Sequence, residues 1–350
     1  MTPPIPIPQE KYEAVSRSLR EAFNTTAIDH IQPITKGLSS DLVFRIVVQG
    51  SPFILKIMTR IDERNDPARI FAAMQSAAQA GLAPRVRHTN IDDGISIIDF
   101  VEPVPFSPSE ALSRLPAVLA RLHALPPFPK TFNHVTAHNG FIWRFRSANL
   151  LPSHEVQEVF GRYAELCAVY PRLDSDIVPC HDDLKPENIL FDGSHVWLVD
   201  WQAAFQNDRY FDLAVVANFL VANEEDEALY LHQYFGQPPD AYQRARFFLM
   251  SQMLHLFYAT VFLLLGAAGK PVDLEVGAPD FHEWNTRVWT DGIDLADNGI
   301  RILYGRVHWE RLLRNLRGPR FAEALQIVAD RHRNDDNLCL LLPTAPQLPA

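Results

Sequence analysis

A chain that carries His181-Asp182-Asp183-Leu184-Lys185-Pro186-Glu187-Asn188 directly before ILFDGSHVWLVDW has little conformational freedom over residues 181–201. Ile189–Phe191 and Val196–Val199 are short apolar runs, and Asp192-Gly193-Ser194-His195 between them reads as a four-residue hairpin loop. If Phe191 faces Val196, Asn188 falls opposite Val199 and beside Asp200. Cross-strand neighbours lie about 5 Å apart, so Asn188 and Asp200 can reach one small site. Asp183 lies just upstream, on the loop that feeds the hairpin. Two carboxylates and an amide oxygen form a hard donor set suited to Mg²⁺ beside a phosphate. Taken alone, an acidic hairpin is equally an ordinary solvated turn.

The surrounding pattern is α+β. A helix is expected from about Glu10 to Phe23, then β-rich runs at Leu42–Val48 and Phe53–Met58 around a Gln49–Pro52 turn. Ala68–Ala80 reads as a helix closed by Gly81, and Ile95–Val101 as a further strand. Beyond Pro103 the period changes: Leu112, Leu115, Leu119 and Leu122 mark one helix face. Helical patterns return around 155–169, 212–235, 240–266, 281–303 and 309–330. The expected division is a small β-rich lobe over residues 1–102 and a larger, mainly helical lobe over 103–350, joined near 99–104.

Composition narrows the function classes. The 350 residues carry 32 Lys and Arg against 42 Asp and Glu, a net charge of −10, which argues against a nucleic-acid-binding surface. The same balance is compatible with a cationic ligand. Cys167, Cys180 and Cys339 are too scattered for a disulfide framework or zinc knuckle and read as free thiols in a reducing, cytoplasmic compartment. MTPPIPIPQEKYEAV lacks the basic and apolar regions of a secretory signal. Residues 247–269 hold no formal charge, but Ser251, Gln252, His255 and Thr260 interrupt them. A buried helix is expected there, not a membrane span.

His181-x-Asp183-x-x-x-x-Asn188, followed by Asp200 beyond a hairpin, resembles the kinase superfamily. Asp200 is followed by Trp201-Gln202 where protein kinases have Phe-Gly, and no APE segment or room for an activation loop follows. The run CHDDL…NIL…WLVDWQAAFQNDRYFDLA instead resembles the choline/ethanolamine kinase and aminoglycoside phosphotransferase group, densely over 179–219 and in order from about 30 to 265. That resemblance implies a protein-kinase-like two-lobed fold and ATP with Mg²⁺ as cofactors. It implies that Asp183 accepts the proton of the substrate hydroxyl, that Lys185 reaches the transferring phosphoryl group, and that His181 braces the loop. Asn188 and Asp200 would hold the metal, and Asp212 would cap the helix Leu213–Leu220 and support the loop. Lys56 would be the lysine on the nucleotide phosphates. Gly37, Ser39 and Ser40 would lie in the phosphate-covering loop, and Asp99, Phe100 and Val101 in the connector that reads adenine. The superfamily pairs its lysine with a helix glutamate; Ala68–Ala80 contains no acid, which leaves Glu63 or Asp66 as substitutes.

The acceptor is expected to be a small hydroxyl compound, most simply a cationic amino alcohol such as choline or ethanolamine. Trp201, Trp284 and Glu224 are candidate contacts from a wider set of aromatic and acidic residues. Gln202 stands where the choline-kinase pattern has an acid. Asn223–Glu227 fits either an acidic cleft for an aminoglycoside or a solvated turn. The alternatives are an aminoglycoside-type or other small alcohol or sugar phosphotransferase, and a nucleotide-binding pseudokinase. No nucleic-acid partner and no membrane span are expected, and the sequence does not express an oligomeric state.

Overall fold

In the computed structural model, residues 7–34, 40–270, 272–273 and 277–334 are described. They fall into two units. The first comprises the described residues of Met1–Phe132, Val178–Asn207 and Val288–Ala296, and the second those of Asn133–Ile177, Asp208–Arg287 and Asp297–Ala350.

The first unit is built on a five-stranded antiparallel sheet: β1 (His30–Pro33), β2 (Leu42–Val48), β3 (Ser51–Ile57), β4 (Val86–Asn90) and β5 (Ile95–Asp99), in the order β1-β2-β3-β5-β4. Alternation sorts its side chains. Phe44, Ile46 and Val48 on β2 and Phe53, Leu55 and Ile57 on β3 are buried in one cluster with Val15 and Leu19 of α1 (Tyr12–Phe23). Each such side chain contributes roughly 1.5–3 kcal/mol when fully buried. Lys56 lies between Leu55 and Ile57 and therefore points to the opposite face. The β2–β3 connection is tighter than its composition suggests. Gln49 (φ 52°) and Gly50 (φ 75°) form the turn alone, while Ser51 and Pro52 already pair with Val48 and Val47.

α2 (Pro67–Gln79) starts at Asp66, whose carboxylate accepts the Ala68 N–H, with Pro67 in the first turn. α3 (Pro108–His123) begins the same way at Ser107 and buries Leu112, Leu115, Leu119 and Leu122, the stripe seen in the sequence. The unit is completed by β6 (Ile177–Cys180) paired with β9 (Phe205–Asp208), and by the hairpin of β7 (Ile189–Phe191) and β8 (Val196–Leu198).

The second unit is helical: α4 (His134–Ala148), α5 (Ser153–Val169), α6 (Arg209–Leu220), α7 (Glu224–Phe235), α8 (Ala241–Ala267), α9 (Phe281–Asp291), α10 (Asn298–Arg317) and α11 (Pro319–Asn334). The pattern over 212–235 is two helices, because Asn223 caps a new one by accepting the Asp226 N–H. The boundary expected near residues 304–308 lies instead at 292–297 and at Gly318, so α10 is one continuous helix. α4 has no clear sequence period, with Gly140 at its middle.

α8 opens with a capping box: Gln243 N–H donates to Asp240, and Asp240 N–H donates back to the Gln243 side chain. Among the described residues it is the one helix long and apolar enough to cross a membrane, and 67% of its most apolar stretch is buried in protein. Its closest approach is to α10. A methyl group at Gly266 would meet the Asn298 carbonyl at 2.8 Å, and one at Gly305 would meet Leu263 at 2.7 Å. Only glycine permits this separation.

At the same crossing His255 of α8 and His308 of α10 bring their Nδ1 atoms to 3.0 Å, one donating to the other. Burial pushes His308 down to about 3, and burial, reinforced by His308 and Arg311, pushes His255 well below its ordinary value. The folded protein therefore resists protons that the unfolded chain takes up below about pH 6.5. Stability should be fully present above that pH and fall as pH drops below it, by about 1.4 kcal/mol per pH unit for each histidine. Urea midpoints between pH 7 and 5 check this; His308→Phe should flatten the slope, and an unchanged slope would exclude the pair as its source.

Candidate active site

The hairpin adopts the register drawn from its sequence: Ile189 pairs with Leu198, Leu190 with Trp197 and Phe191 with Val196. Val199 N–H donates to the Asn188 carbonyl at 3.0 Å, extending the ladder by one pair. The loop is fixed by Asp192, which accepts from the His195 N–H at 2.7 Å, the Ser194 N–H at 2.8 Å and Trp197 Nε1 at 2.7 Å. The His195 amide, then the Trp197 indole, hold this carboxyl well below the usual range.

At the hairpin's open end Asn188 is buried, and its Nδ2 donates to the Asp183 carbonyl at 2.7 Å and to Asp183 Oδ2 at 3.0 Å. Turning its nitrogen to Asp183 directs its amide oxygen the other way. Lys185 Nζ lies 3.3 Å from Asp183 Oδ2. Asp183 sits deep among protein atoms yet keeps 37% of its side-chain surface open. Burial raises its carboxyl above the ordinary value; Lys185 and His181 oppose the rise and Asp200 adds to it. Burial works against the Lys185 charge, but Asp183 more than offsets this and raises the ammonium.

Asp200 occupies the left-handed region (φ 66°, ψ 67°) and accepts from Lys56 Nζ at 2.7 Å. Burial alone would raise its carboxyl; the Lys56 charge and hydrogen bond outweigh that and hold it below the ordinary value. Lys56 also lies 3.6 Å from Asp41 Oδ2. Neither proposed substitute for the helix glutamate serves it. Asp66 caps α2 and pairs with Lys130 at 3.3 Å, and Glu63 is exposed. Asp183, Lys185, Asn188, Asp200 and Lys56 thus converge within the first unit.

His181 is buried beneath them, with Nε2 3.0 Å from the Val199 carbonyl and its ring 4.7 Å from that of Trp201. Trp201 is itself buried, donating Nε1–H to the Leu198 carbonyl and packing on Phe128, so it presents no open face to a ligand. Asp182, also left-handed (φ 61°), accepts from Asn207 Nδ2 at 2.8 Å. Ser40 is exposed, with Oγ 3.0 Å from Thr59 Oγ1; Gly37 and Ser39 lie outside the described residues. Asp99 is held bidentately by Arg87 at 2.6 and 3.1 Å, Phe100 lies under Arg45, and Val101 is half-buried.

The α6 cap is Asp208, which accepts the Tyr210 N–H, and not Asp212, which is buried inside the first turn. Gln202 donates Nε2–H to Asp41 Oδ2. Glu224 is exposed in the first turn of α7, and Trp284 is buried within the second unit. Two residues of this neighbourhood escaped the sequence reading. Asp41 carried no signal beyond its place as the last residue of the phosphate-loop stretch 36–41. Arg69 did: it is a lone charge on the apolar face of an Ala-rich helix.

The profile described as the phosphotransferase enzyme family (APH) matches residues 30–248. Protein LicA of Haemophilus influenzae is 30% identical over 101 residues, 27% of this chain and 30% of LicA. Human ethanolamine kinase 2 is 32% identical over 120 residues, 33% of this chain and 31% of that protein. The chain therefore spans about a third of the length of these curated relatives. A solved choline/ethanolamine kinase family protein from Mesorhizobium loti superposes with a TM-score of 0.64 at 23% identity, covering 91% of this chain and 98% of that one. That likeness is one of fold, and it makes the α+β architecture kinase-like.

Proposed function

The chain belongs to the phosphotransferase enzyme family, and from that premise we propose that it transfers the terminal phosphoryl group of ATP, with Mg²⁺, to the hydroxyl of a small amino alcohol of the choline or ethanolamine type. The observation that carries this reading is the placing of two bonded pairs, Asp183 with Asn188 and Lys56 with Asp200, close enough that the Asp200 charge raises the Asp183 carboxyl. Residues 1–102 would form the nucleotide lobe and 103–350 the rest of the machinery, in the cytoplasm where ATP is available.

Each residue has a task in that reaction. Lys56 neutralises phosphate charge, and the connector Asp99–Val101 offers backbone groups to the base. The donor set suits Mg²⁺: Asn188 contributes an amide oxygen and Asp200 a carboxylate held ionised, both hard ligands. When bound, the metal would offset the negative charge of the phosphates. The Asp183 carboxylate orients the acceptor hydroxyl and takes its proton as the new oxygen–phosphorus bond forms and the bond from the γ-phosphorus to the departing ADP breaks. A carboxyl raised by burial is a better base than a free one. Lys185 stands beside it to meet the charge on the transferring group. Because the transition state is loose and anionic, alignment and charge neutralisation do most of the work.

The amino-alcohol assignment draws on the stretch shared with an ethanolamine kinase. Gln202, which departs from the choline-kinase pattern, spends its amide on Asp41, so that departure does not itself speak against an amino-alcohol acceptor. The pseudokinase alternative rested on the missing helix carboxylate, but Lys56 has two other carboxylates within ion-pair range. ADP release from Mg-ATP, measured against choline, ethanolamine, aminoglycosides, homoserine and sugars, tests the assignment. Acceptor-dependent turnover is expected with an amino alcohol. Turnover confined to an aminoglycoside or sugar would replace the acceptor class, and ATP binding without turnover on any of them would count against the reaction.

A further inference from the structure

Lys56 is held by more than the carboxylate of Asp200. Asp41, at the edge of β2, is buried to 5% of its side-chain surface. Its Oδ1 accepts the Thr59 N–H at 3.1 Å, its Oδ2 accepts from Gln202 Nε2, and the same Oδ2 lies 3.6 Å from Lys56 Nζ. A carboxylate fixed by two neutral donors and turned to one ammonium is oriented before any ligand arrives.

Gln202 is the joint between this pair and the rest of the unit. Its backbone carbonyl accepts from Arg69 Nη2 at 2.8 Å, and the Ala204 carbonyl accepts from Arg69 Nη1 at 2.6 Å. Arg69 is 1% exposed, donates also to the Arg64 carbonyl, and stacks over the Phe205 ring at 3.9 Å. Helix α2 therefore gives a cation to the backbone that follows Asp200. The anion that faces Lys56 comes from the strand edge.

We infer that Asp41 is a positioning residue for the phosphoryl donor, and that the acid at 41 and the amide at 202 are a matched pair. The inference rests on the phosphotransfer reading. As a metal ligand Asp200 would share its charge with that ion, and Asp41 would then keep the Lys56 ammonium in place. An acid at 202, which is half-buried, would set a second carboxylate against that of Asp41, so the presence of Asp41 favours a neutral donor there. Gln202 thus reads as a consequence of how the lysine is held, with no bearing on the acceptor.

The test uses the full chain and three variants: Asp41→Asn, Gln202→Glu, and both together. Calorimetry with Mg²⁺ and a non-hydrolysable ATP analogue gives binding without turnover, and steady-state kinetics separates KM for ATP from KM for the acceptor. Each single change should weaken nucleotide binding and raise KM for ATP by about ten-fold, leaving KM for the acceptor within about two-fold. The double exchange restores one acid and one amide and should recover most of the loss, a non-additivity that a merely structural pair of sites would not give. Unchanged nucleotide affinity in Asp41→Asn, or a double variant no better than the product of the singles, overturns the inference. If either charge variant does not fold, Gln202→Met is read instead: it removes the donor and keeps the charge, and should raise KM for ATP by about three-fold. No change there overturns the inference equally. Failure of the unaltered chain to bind nucleotide would instead sink the phosphotransfer reading.

Discussion

Replacing Asp183 by Asn is expected to lower kcat by roughly 10²–10⁴-fold and to leave the protein folded. The substitution is isosteric and removes only the proton acceptor and the charge. Asn188 Nδ2 keeps the Asp183 main-chain carbonyl as a partner at 2.7 Å, so the loop has a hydrogen bond that the change does not touch. Stability should hardly move, because two effects oppose. The Asp183 carboxyl is raised in the folded protein, mainly by burial, so its ionisation costs stability as pH rises through that range, and a neutral amide removes the cost. Against that, Lys185 loses the carboxylate that raises it. Saturating kcat beside a thermal melt decides the matter. A variant within ten-fold of the parent would remove Asp183 from the reaction; a collapsed melt would make it a folding residue.

The largest stability loss is expected from Arg246→Met in the second unit. The Arg246 guanidinium has no exposed surface, donates to Asp208 at 2.8 Å and to Asp176 at 2.9 Å, and lies over the rings of Tyr170 and Tyr210. Asp208 is equally buried and caps α6. Methionine fills the volume but leaves that carboxylate without its cation, which should cost about 3–5 kcal/mol. Urea unfolding reads the loss directly. Arg246→Met combined with Asp208→Asn should recover part of it, because the stranded charge is gone. A loss below about 1 kcal/mol in the single variant would mean that the pair only breaks even against its desolvation.

What the sequence made legible was local. The β7–β8 register followed from two apolar runs and the loop between them, and it brought Asn188 to Val199 with no information from elsewhere in the chain. The α3 stripe and the apolar length of α8 were equally visible, because both are periodicities within one element. The partner of Lys56 was not. Asp41 and Gln202 lie 161 residues apart, and nothing in either neighbourhood announces the other. The α6 cap shows a subtler limit. Asp208 and Asp212 are both acids near the start of the helix, and only the backbone path from β9 decides which one is the cap. α4 was hidden because Gly140 and the β-branched residues near it blur the helical period.

The glycine contact between α8 and α10 also sets an order of events during synthesis. α8 leaves the ribosome with its apolar surface made and its tightest neighbour not yet emerged. At about 5–20 residues per second, the chain from Ala267 to Arg317 takes a few seconds to make. During that interval an apolar helix of bilayer-spanning length has nothing of its own to cover the face that Gly266 reserves for α10. The nascent chain is therefore at its stickiest in that window, and holdase chaperones would meet it there. A translational pause placed where α8 has emerged and α10 has not should lower the yield of folded protein more than the same pause after both have emerged.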